Sequence, residues 1–248
     1  MERTKLELKR TLYIGLGGTG VSVLLKIKKC FIDCYGEIPP MIGFLAIDTE
    51  TSAFYKEVTT NLGKSIKLEK SELLVCSVKD AFDIFRTNHT IFDWVPTKNV
   101  AYIKYLGARS CAGQVRSNGR FIAFANLDTI QSNISAAITK IHQQMPSTTK
   151  YTVDVDGNDI EHATTINVFS SIAGGTGSGM LIDILCLINK AMKEMSLLYN
   201  LYPWIVLPDI FEAMCPIMPN VKSNSYGTIR ELDYMEHLDP NDLAIDFG

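Results

Sequence analysis

The segment Ser170-Ser171-Ile172-Ala173-Gly174-Gly175-Thr176-Gly177-Ser178-Gly179 carries the strongest signal in this chain. It continues the β-prone run Thr165 to Ser171 and opens Gly179 to Leu198, a stretch apolar on most sides that predicts a buried helix. A glycine-rich turn between strand and helix exposes successive backbone N–H groups at the positive end of a helix dipole. Here two hydroxyls stand beside them. Such a turn suits an anion, and phosphate above all.

A second segment of this kind lies near the start, at Gly15-Leu16-Gly17-Gly18-Thr19-Gly20. The chain has 17 glycines, an ordinary share, yet these two short windows hold eight of them. Thr11 to Ile14 reads as the strand before the turn. Val21 to Tyr35 reads as the helix after it, with Val21, Leu24, Leu25, Ile27, Phe31 and Ile32 at helical spacing. Pro39-Pro40 breaks the chain. Met41 to Ile47 is the continuous apolar run of a strand buried on both faces, and it stops at Asp48. Strand, turn, helix and strand make a right-handed βαβ unit. The expected fold is therefore α/β, a mainly parallel sheet with helices on both faces and the ligand at its carboxyl edge. Two glycine turns on neighbouring strands would face one crevice and hold a triphosphate from two sides. The alternative is a Rossmann-type NAD(P)- or FAD-binding oxidoreductase. It would use the first turn, with Asp48 on a ribose hydroxyl, but Asp48 lies beyond the usual interval of roughly 20 residues and the second turn is left without a task.

The remaining elements read less sharply. Ser71 to Arg86 is expected to be helical, Val100 to Leu106 a strand, and Asn118 to Gln144 one long helix. Tyr151 to Val155 and Ile160 to Thr164, joined by Asp156-Gly157-Asn158, form an expected β-hairpin insertion at the rim of the sheet, 151–164. Trp204 to Leu207 is a strand ended by Pro208. Asn224 to His237 is a last helix, capped by Ser223 or Asn224. With no repeat, low-complexity tract or linker, residues 1–248 are expected to form a single nucleotide-binding domain.

Composition bounds the partners. A formal charge of -3 excludes a strongly basic nucleic-acid binder, so no nucleic acid is expected. No apolar run approaches the ~20 residues of a membrane helix, and no signal peptide precedes the first strand, so a cytoplasmic location is expected without membrane insertion. The six cysteines are dispersed and form no C-x-x-C; Cys30 and Cys34, one turn apart, suit a buried helix face. The four histidines are isolated. Gly63-Lys64-Ser65 lacks the glycine of a P-loop, since Val58 stands there. Lys26, Lys28 and Lys29 read as a solvated basic face.

Gly174-Gly175-Thr176-Gly177-Ser178-Gly179 resembles the signature loop of the tubulin/FtsZ superfamily, G-G-T-G-[ST]-G. Four further segments follow in the family order. Tyr13 to Gly20 is similar to the first nucleotide loop. Phe44 to Glu50 is similar to the FtsZ segment ending N-T-D. Ala112-Gly113-Gln114, with Gly119-Arg120 after it, is similar to the γ-phosphate loop. Pro208 to Ala213 is similar to the loop P-F-x-F-E-G. The resemblance runs from residue 11 to about 237 and is nearest to divergent bacterial tubulin-like proteins.

That resemblance implies GTP or GDP with Mg²⁺ as ligands, and self-association into head-to-tail filaments. It places Gly17, Gly18, Thr19 and Gly20 at the α- and β-phosphates and Ala112, Gly113 and Gln114 at the γ-phosphate. Gly174, Gly175, Thr176, Gly177 and Ser178 would wrap the α/β-phosphates. Asp48 and Thr49 would lie near phosphates and Mg²⁺, and Glu212 would hold the ribose. Asn224 would read the base or serve only as a helix cap. Ser22 stands where FtsZ has a guanine-reading Asn, which leaves guanine and adenine both open. One of Lys104, Arg109, Arg116 and Arg120 would stabilise the γ-phosphate. The family's catalytic acid lies on a loop after its central helix and acts on the neighbouring subunit. Leu238 to Gly248 contain no N-x-D-x-x-D. No catalytic residue is therefore assigned, and the chain is expected to be the nucleotide-binding part of a longer protein or a truncated one.

Overall fold

Alternation along β1 (Thr11–Leu16) sends Leu12, Ile14 and Leu16 to one face of a sheet and Tyr13 and Gly15 to the other. Both faces are covered, as a parallel sheet demands. The computed structural model describes residues 8–95, 100, 103, 111–143, 163–214 and 219–237, with the side chains of 212–214 excepted. β1 pairs with β2 (Ile42–Asp48) on one side and β6 (Thr164–Ser171) on the other. β5 (Leu73–Val75) extends the sheet beyond β2, and β7 (Tyr199–Val206) extends it beyond β6. The order is β5-β2-β1-β6-β7, and every pairing is parallel. A small antiparallel pair, β3 (Val58–Thr59) and β4 (Ser65–Ile66), stands apart.

Helix α1 (Gly17–Tyr35) buries Val21, Leu24 and Leu25 against Phe44 and Ala46, with Tyr13 and Phe169 at the margin. The opposite face carries α5 (Leu127–Gln143) and α6 (Gly175–Glu194). Their Ile130, Ile134, Ile138, Met180, Leu181 and Ile184 pack on Leu12, Ile14, Leu45, Ile47, Ile166 and Val168. Outside them lie α4 (Arg116–Ala125) and α8 (Val221–Glu236). Short helices α2 (Ala81–Thr87), α3 (Ile91–Trp94) and α7 (Asp209–Met214) join them. The fold is the expected α/β class, with helices on both faces of a parallel sheet.

Several elements depart from the sequence reading. Ser71 to Arg86 is not one helix. Leu73–Val75 joins β2 as an edge strand, and α2 starts only where the Asp80 carboxylate accepts from the amides of Phe82 and Asp83. The long helix expected over Asn118 to Gln144 is two helices. Asn126 leaves helical geometry between them, and its side-chain amide donates to the carbonyls of Ser77 and Ile122. Of the strand expected over Val100 to Leu106, only Val100 and Ile103 are described, and both are helical. The hairpin insertion lies outside the described residues, save for Ala163 and Thr164 at its end. β7 begins at Tyr199, not Trp204. Pro203 within it is tolerated because β7 is an edge strand and needs no donor on its outer side. The last helix begins at Val221 with Asn220 as its cap residue, so neither Ser223 nor Asn224 is the cap.

Two side-chain expectations on α1 also change. Cys30 and Cys34 are exposed, because the buried stripe of α1 runs through Val21, Leu24, Leu25 and Lys28. Lys28 is not on a solvated face. It is 5% exposed, and its ammonium lies 2.5 Å from the Glu72 carboxylate and 5.9 Å from the Phe44 ring centroid. Glu72 also accepts from the amide of Glu69, so the pair ties α1 to the turn before β5. A buried pair is worth little against an apolar substitute, but breaking it strands a charge. Lys28→Ala is expected to cost about 3–5 kcal/mol of stability in urea denaturation. The double variant Lys28→Met/Glu72→Leu is expected to recover most of that loss.

Candidate functional site

The carboxyl ends of β1, β2 and β6 open into one cleft of about 390 Å³. Gly17, Gly18 and Thr19 line it after β1, Asp48 and Thr49 after β2, and Gly174, Gly175, Thr176 and Gly177 after β6. Gly113 and Gln114 close it from the segment that leads into α4. Eleven residues singled out from the sequence thus meet in space.

The glycine windows are not separate loops: Gly15 and Leu16 end β1, Gly174 is a cap residue, and the other residues of both windows open the helices. α1 begins at Gly17 and α6 at Gly175. Gly17 has φ +65, a left-handed value that disfavours any residue with a Cβ. The cap residues are Leu16 and Gly174, neither of which caps with a side chain, and neither first turn carries an acid. Both helices therefore present first-turn amides and a partial positive charge to the same cleft.

Hydroxyls lock the three walls together. Thr49 Oγ1 lies 2.7 Å from Thr176 Oγ1, and the Ala112 amide donates to Thr49 Oγ1 at 3.0 Å. One side chain at the end of β2 thus holds both the second glycine turn and the start of the Ala112–Gln114 segment. Ala112 is fully buried behind that wall.

Other sequence candidates support the cleft without lining it. A Cβ on Gly20 would lie 2.4 Å from the carbonyl carbon of Gly15, so Gly20 serves the close approach of α1 to β1. The Ser22 hydroxyl donates to the Gly18 carbonyl. The Ser178 hydroxyl turns back on its own helix to the Gly174 carbonyl. Asn224 is 5% exposed and works as a brace. Its amide nitrogen donates to the carbonyls of Gln114 (3.0 Å) and Ala173 (2.9 Å), and its oxygen accepts from the Arg116 amide (3.3 Å). Glu212 falls in α7, and its side chain lies outside the described residues.

Sequence reasoning left out Leu16, Glu50, Cys111, Ser171, Ala173 and Phe211, which also line the cleft. Each adjoins a residue that had been singled out or falls in a quoted segment, so the missing signal was which way each side chain turns.

The cations expected near the γ-phosphate loop are placed differently. Lys104 and Arg109 lie outside the described residues. Arg116 pairs with Glu231 and donates to the Ser178 carbonyl and Thr228 Oγ1. Arg120 lies 3.6 Å from Asp183 and 3.7 Å from Glu231, over the Trp94 ring. Together these groups staple α4, α6 and α8 behind the second glycine turn.

Two acids in and behind the site bear the cost of burial. Desolvation raises the Asp48 carboxyl above the usual range, while the amides of Thr49 and Glu50 and the Lys56 ammonium pull it back. Desolvation also lifts Asp183 to about 6, against the opposing pull of Arg120. A raised carboxyl pKa means the folded state holds its proton longer, so stability falls as pH rises through the interval between unfolded and folded values. For Asp183 that interval runs from 3.8 to about 6. Asp183→Asn is expected to gain stability over the parent progressively across this interval and to hold a constant advantage above it, in denaturation measured at stepped pH. Asp48→Asn is expected to raise the melting temperature of the ligand-free protein at neutral pH, an advantage that vanishes when pH falls below the ordinary carboxylate range.

A parallel sheet whose carboxyl edge holds two glycine-rich helix starts over one cleft defines a Rossmann-like α/β domain. A family model described as tubulin-like matches residues 12–245, and the chain belongs to that family. A search of curated proteins gives no match. No helix among the described residues is long and apolar enough to cross a membrane.

Proposed function

We propose that this chain binds GTP and assembles head to tail into filaments, with hydrolysis completed by a neighbouring subunit. The observation that carries the reading is the pair of uncapped helix starts, α1 and α6, opening into one cleft. Amides of Gly17, Gly18 and Thr19 hold the α- and β-phosphates from one side. Gly174, Gly175, Thr176 and Gly177 hold them from the other. Gly113 and Gln114, backed by Ala112, meet the γ-phosphate. Gly20, Ser22, Ser178 and Asn224 keep these walls in place, and Glu212 is assigned to the ribose.

Mg²⁺, when bound, would be held by phosphate oxygens with one or two carboxylates and would supply charge neutralisation at the terminal phosphates. Asp48 and Glu50, both on the cleft, fit that donor set. Thr49 keeps Thr176 and the Ala112–Gln114 segment in register, so that the phosphates enter a site already shaped for them. In the proposed filament, nucleotide lies between subunits, a heterologous contact that extends without closing. The tubulin-like family match favours this reading over a dinucleotide oxidoreductase. A cytoplasmic setting follows from the same reading.

Thermal-shift screening with GTP, ATP, NAD and NADP tests the ligand. GTP is expected to raise the melting temperature, and stabilisation by a dinucleotide alone would overturn the proposal. Gly174 offers the cleanest variant, because its backbone is extended and a Cβ there meets nothing within 4 Å. Gly175 and Gly177 do not, since a Cβ at either would press on backbone at 2.4 Å. Gly174→Ala is expected to keep its melting temperature without ligand and lose about 1–3 kcal/mol of GTP binding. With no catalytic acid assigned in it, this chain alone is expected to bind GTP but hydrolyse it slowly. Robust GTP turnover by purified residues 1–248, measured as phosphate release, would count against hydrolysis completed by a neighbour's acid.

A further inference from the structure

The cleft has an electrostatic gap. Among the described residues, its lining carries two acids, Asp48 and Glu50, and no basic side chain. An anionic ligand beside two carboxylates needs a cation within a few ångströms, because unscreened like charges there repel strongly. Among the described residues, Arg116 and Arg120 are taken up by Glu231 and Asp183 on the far side of the second glycine turn.

Lys56 stands on the open side. A short 3-10 turn, Thr51–Tyr55, follows Asp48-Thr49-Glu50, and Lys56 ends it, its amide donating to the Ala53 carbonyl at 3.4 Å. Ala53 is 3% exposed and anchors the turn in the core beneath α1, so the position of Lys56 is set by packing. Its ammonium reaches across the first turn of α1 and donates to the Gly18 carbonyl at 3.2 Å. It lies 3.1 Å from the point where a Cβ on Gly18 would stand. Gly18 is exposed and lines the cleft. Lys56 forms no ion pair with a described carboxylate. An ammonium has three donors, and the Gly18 carbonyl uses one.

We propose that Lys56 is a phosphate-binding cation of the cleft, its ammonium moving from the Gly18 carbonyl onto the phosphate chain of the bound nucleotide. The proposal rests on the nucleotide reading above and adds a charged side chain to the Mg²⁺ which that reading places beside Asp48 and Glu50. Lys56 is also near enough to Asp48 for its charge to oppose the rise that burial imposes on that carboxyl. No motif marks this lysine. It belongs to a turn that the βαβ pattern treats as a mere connection.

Isothermal titration of the full chain tests the assignment, with GTP, GDP and inorganic tripolyphosphate as probes, each in the presence of Mg²⁺ and at two salt concentrations. Lys56→Gln is expected to bind GTP and tripolyphosphate about tenfold to a hundredfold more weakly, as loss of a charge-assisted hydrogen bond predicts. Its binding is also expected to depend less on salt. Lys56→Arg is expected to keep most of the affinity. The melting temperature of ligand-free Lys56→Gln is expected to stay near that of the parent. Parent-like affinity and salt dependence in Lys56→Gln would overturn the role of Lys56 and leave the nucleotide reading standing. A loss that arginine does not rescue, with unchanged salt dependence and a lowered melting temperature, would reduce Lys56 to a prop for α1 and equally overturn the assignment. Failure of the parent to bind any of the probes would remove both readings.

Discussion

Two helices can aim their amino ends into one cleft only if backbones come closer than side chains normally allow. The structure meets that constraint with glycine on both sides of each approach. Gly15 and Gly20 let α1 rise directly off β1, with a Cβ at either lying within 2.6 Å of the other's backbone. Gly119 and Gly179 let α4 lie on α6; a Cβ on Gly119 would stand 2.1 Å from the Gly175 carbonyl oxygen, and one on Gly179 would stand 2.4 Å from that of Arg116. The Ala112–Gln114 segment is delivered to the cleft by α4. The α4–α6 crossing therefore decides whether the third wall reaches the other two.

Polar groups then hold what close packing has placed. Thr49 joins three walls through one hydroxyl. Asn224, Ser225 and Thr228 bond to carbonyls of the second glycine turn and its flanks, so α8 braces the cleft from behind. These bonds sit where backbone groups would otherwise be buried without partners. The site is costly in another respect. Asp48 is kept at 3% exposure with its carboxyl pKa pushed up by burial, and such a residue weakens the fold unless it has a task. A carboxylate held ready beside the proposed phosphates and Mg²⁺ is such a task.

Much of this was legible in the residues. Period-two and continuous apolar runs marked β1, β2 and β6, and helical spacing marked α1 and α6, because burial on a parallel sheet imposes those patterns directly. What failed were elements whose identity is set by neighbours. Leu73–Val75 has helical-looking flanks but pairs with β2, whose outer edge needs a strand. Asn126 breaks α4 from α5 because its amide has two carbonyls to reach. Cys30 and Cys34 look apolar enough for a core, yet the stripe of α1 turns them outward and takes Lys28 inward to meet Glu72.

The sequence by itself determined the fold class and the family, and pointed to the backbone donors proposed for the site, because strand–glycine–helix order and the G-G-T-G-S-G run are local properties. It could not assign side-chain tasks inside that site. Asn224, Ser178 and Gly20, candidates for ligand contact, also brace the walls of the cleft, while Arg116 and Arg120 pair with Glu231 and Asp183. Only the tertiary structure points to Lys56, among the described residues, as a cation beside the cleft. That assignment depends on a distance between the turn after β2 and the start of α1, and no spacing along the chain encodes it.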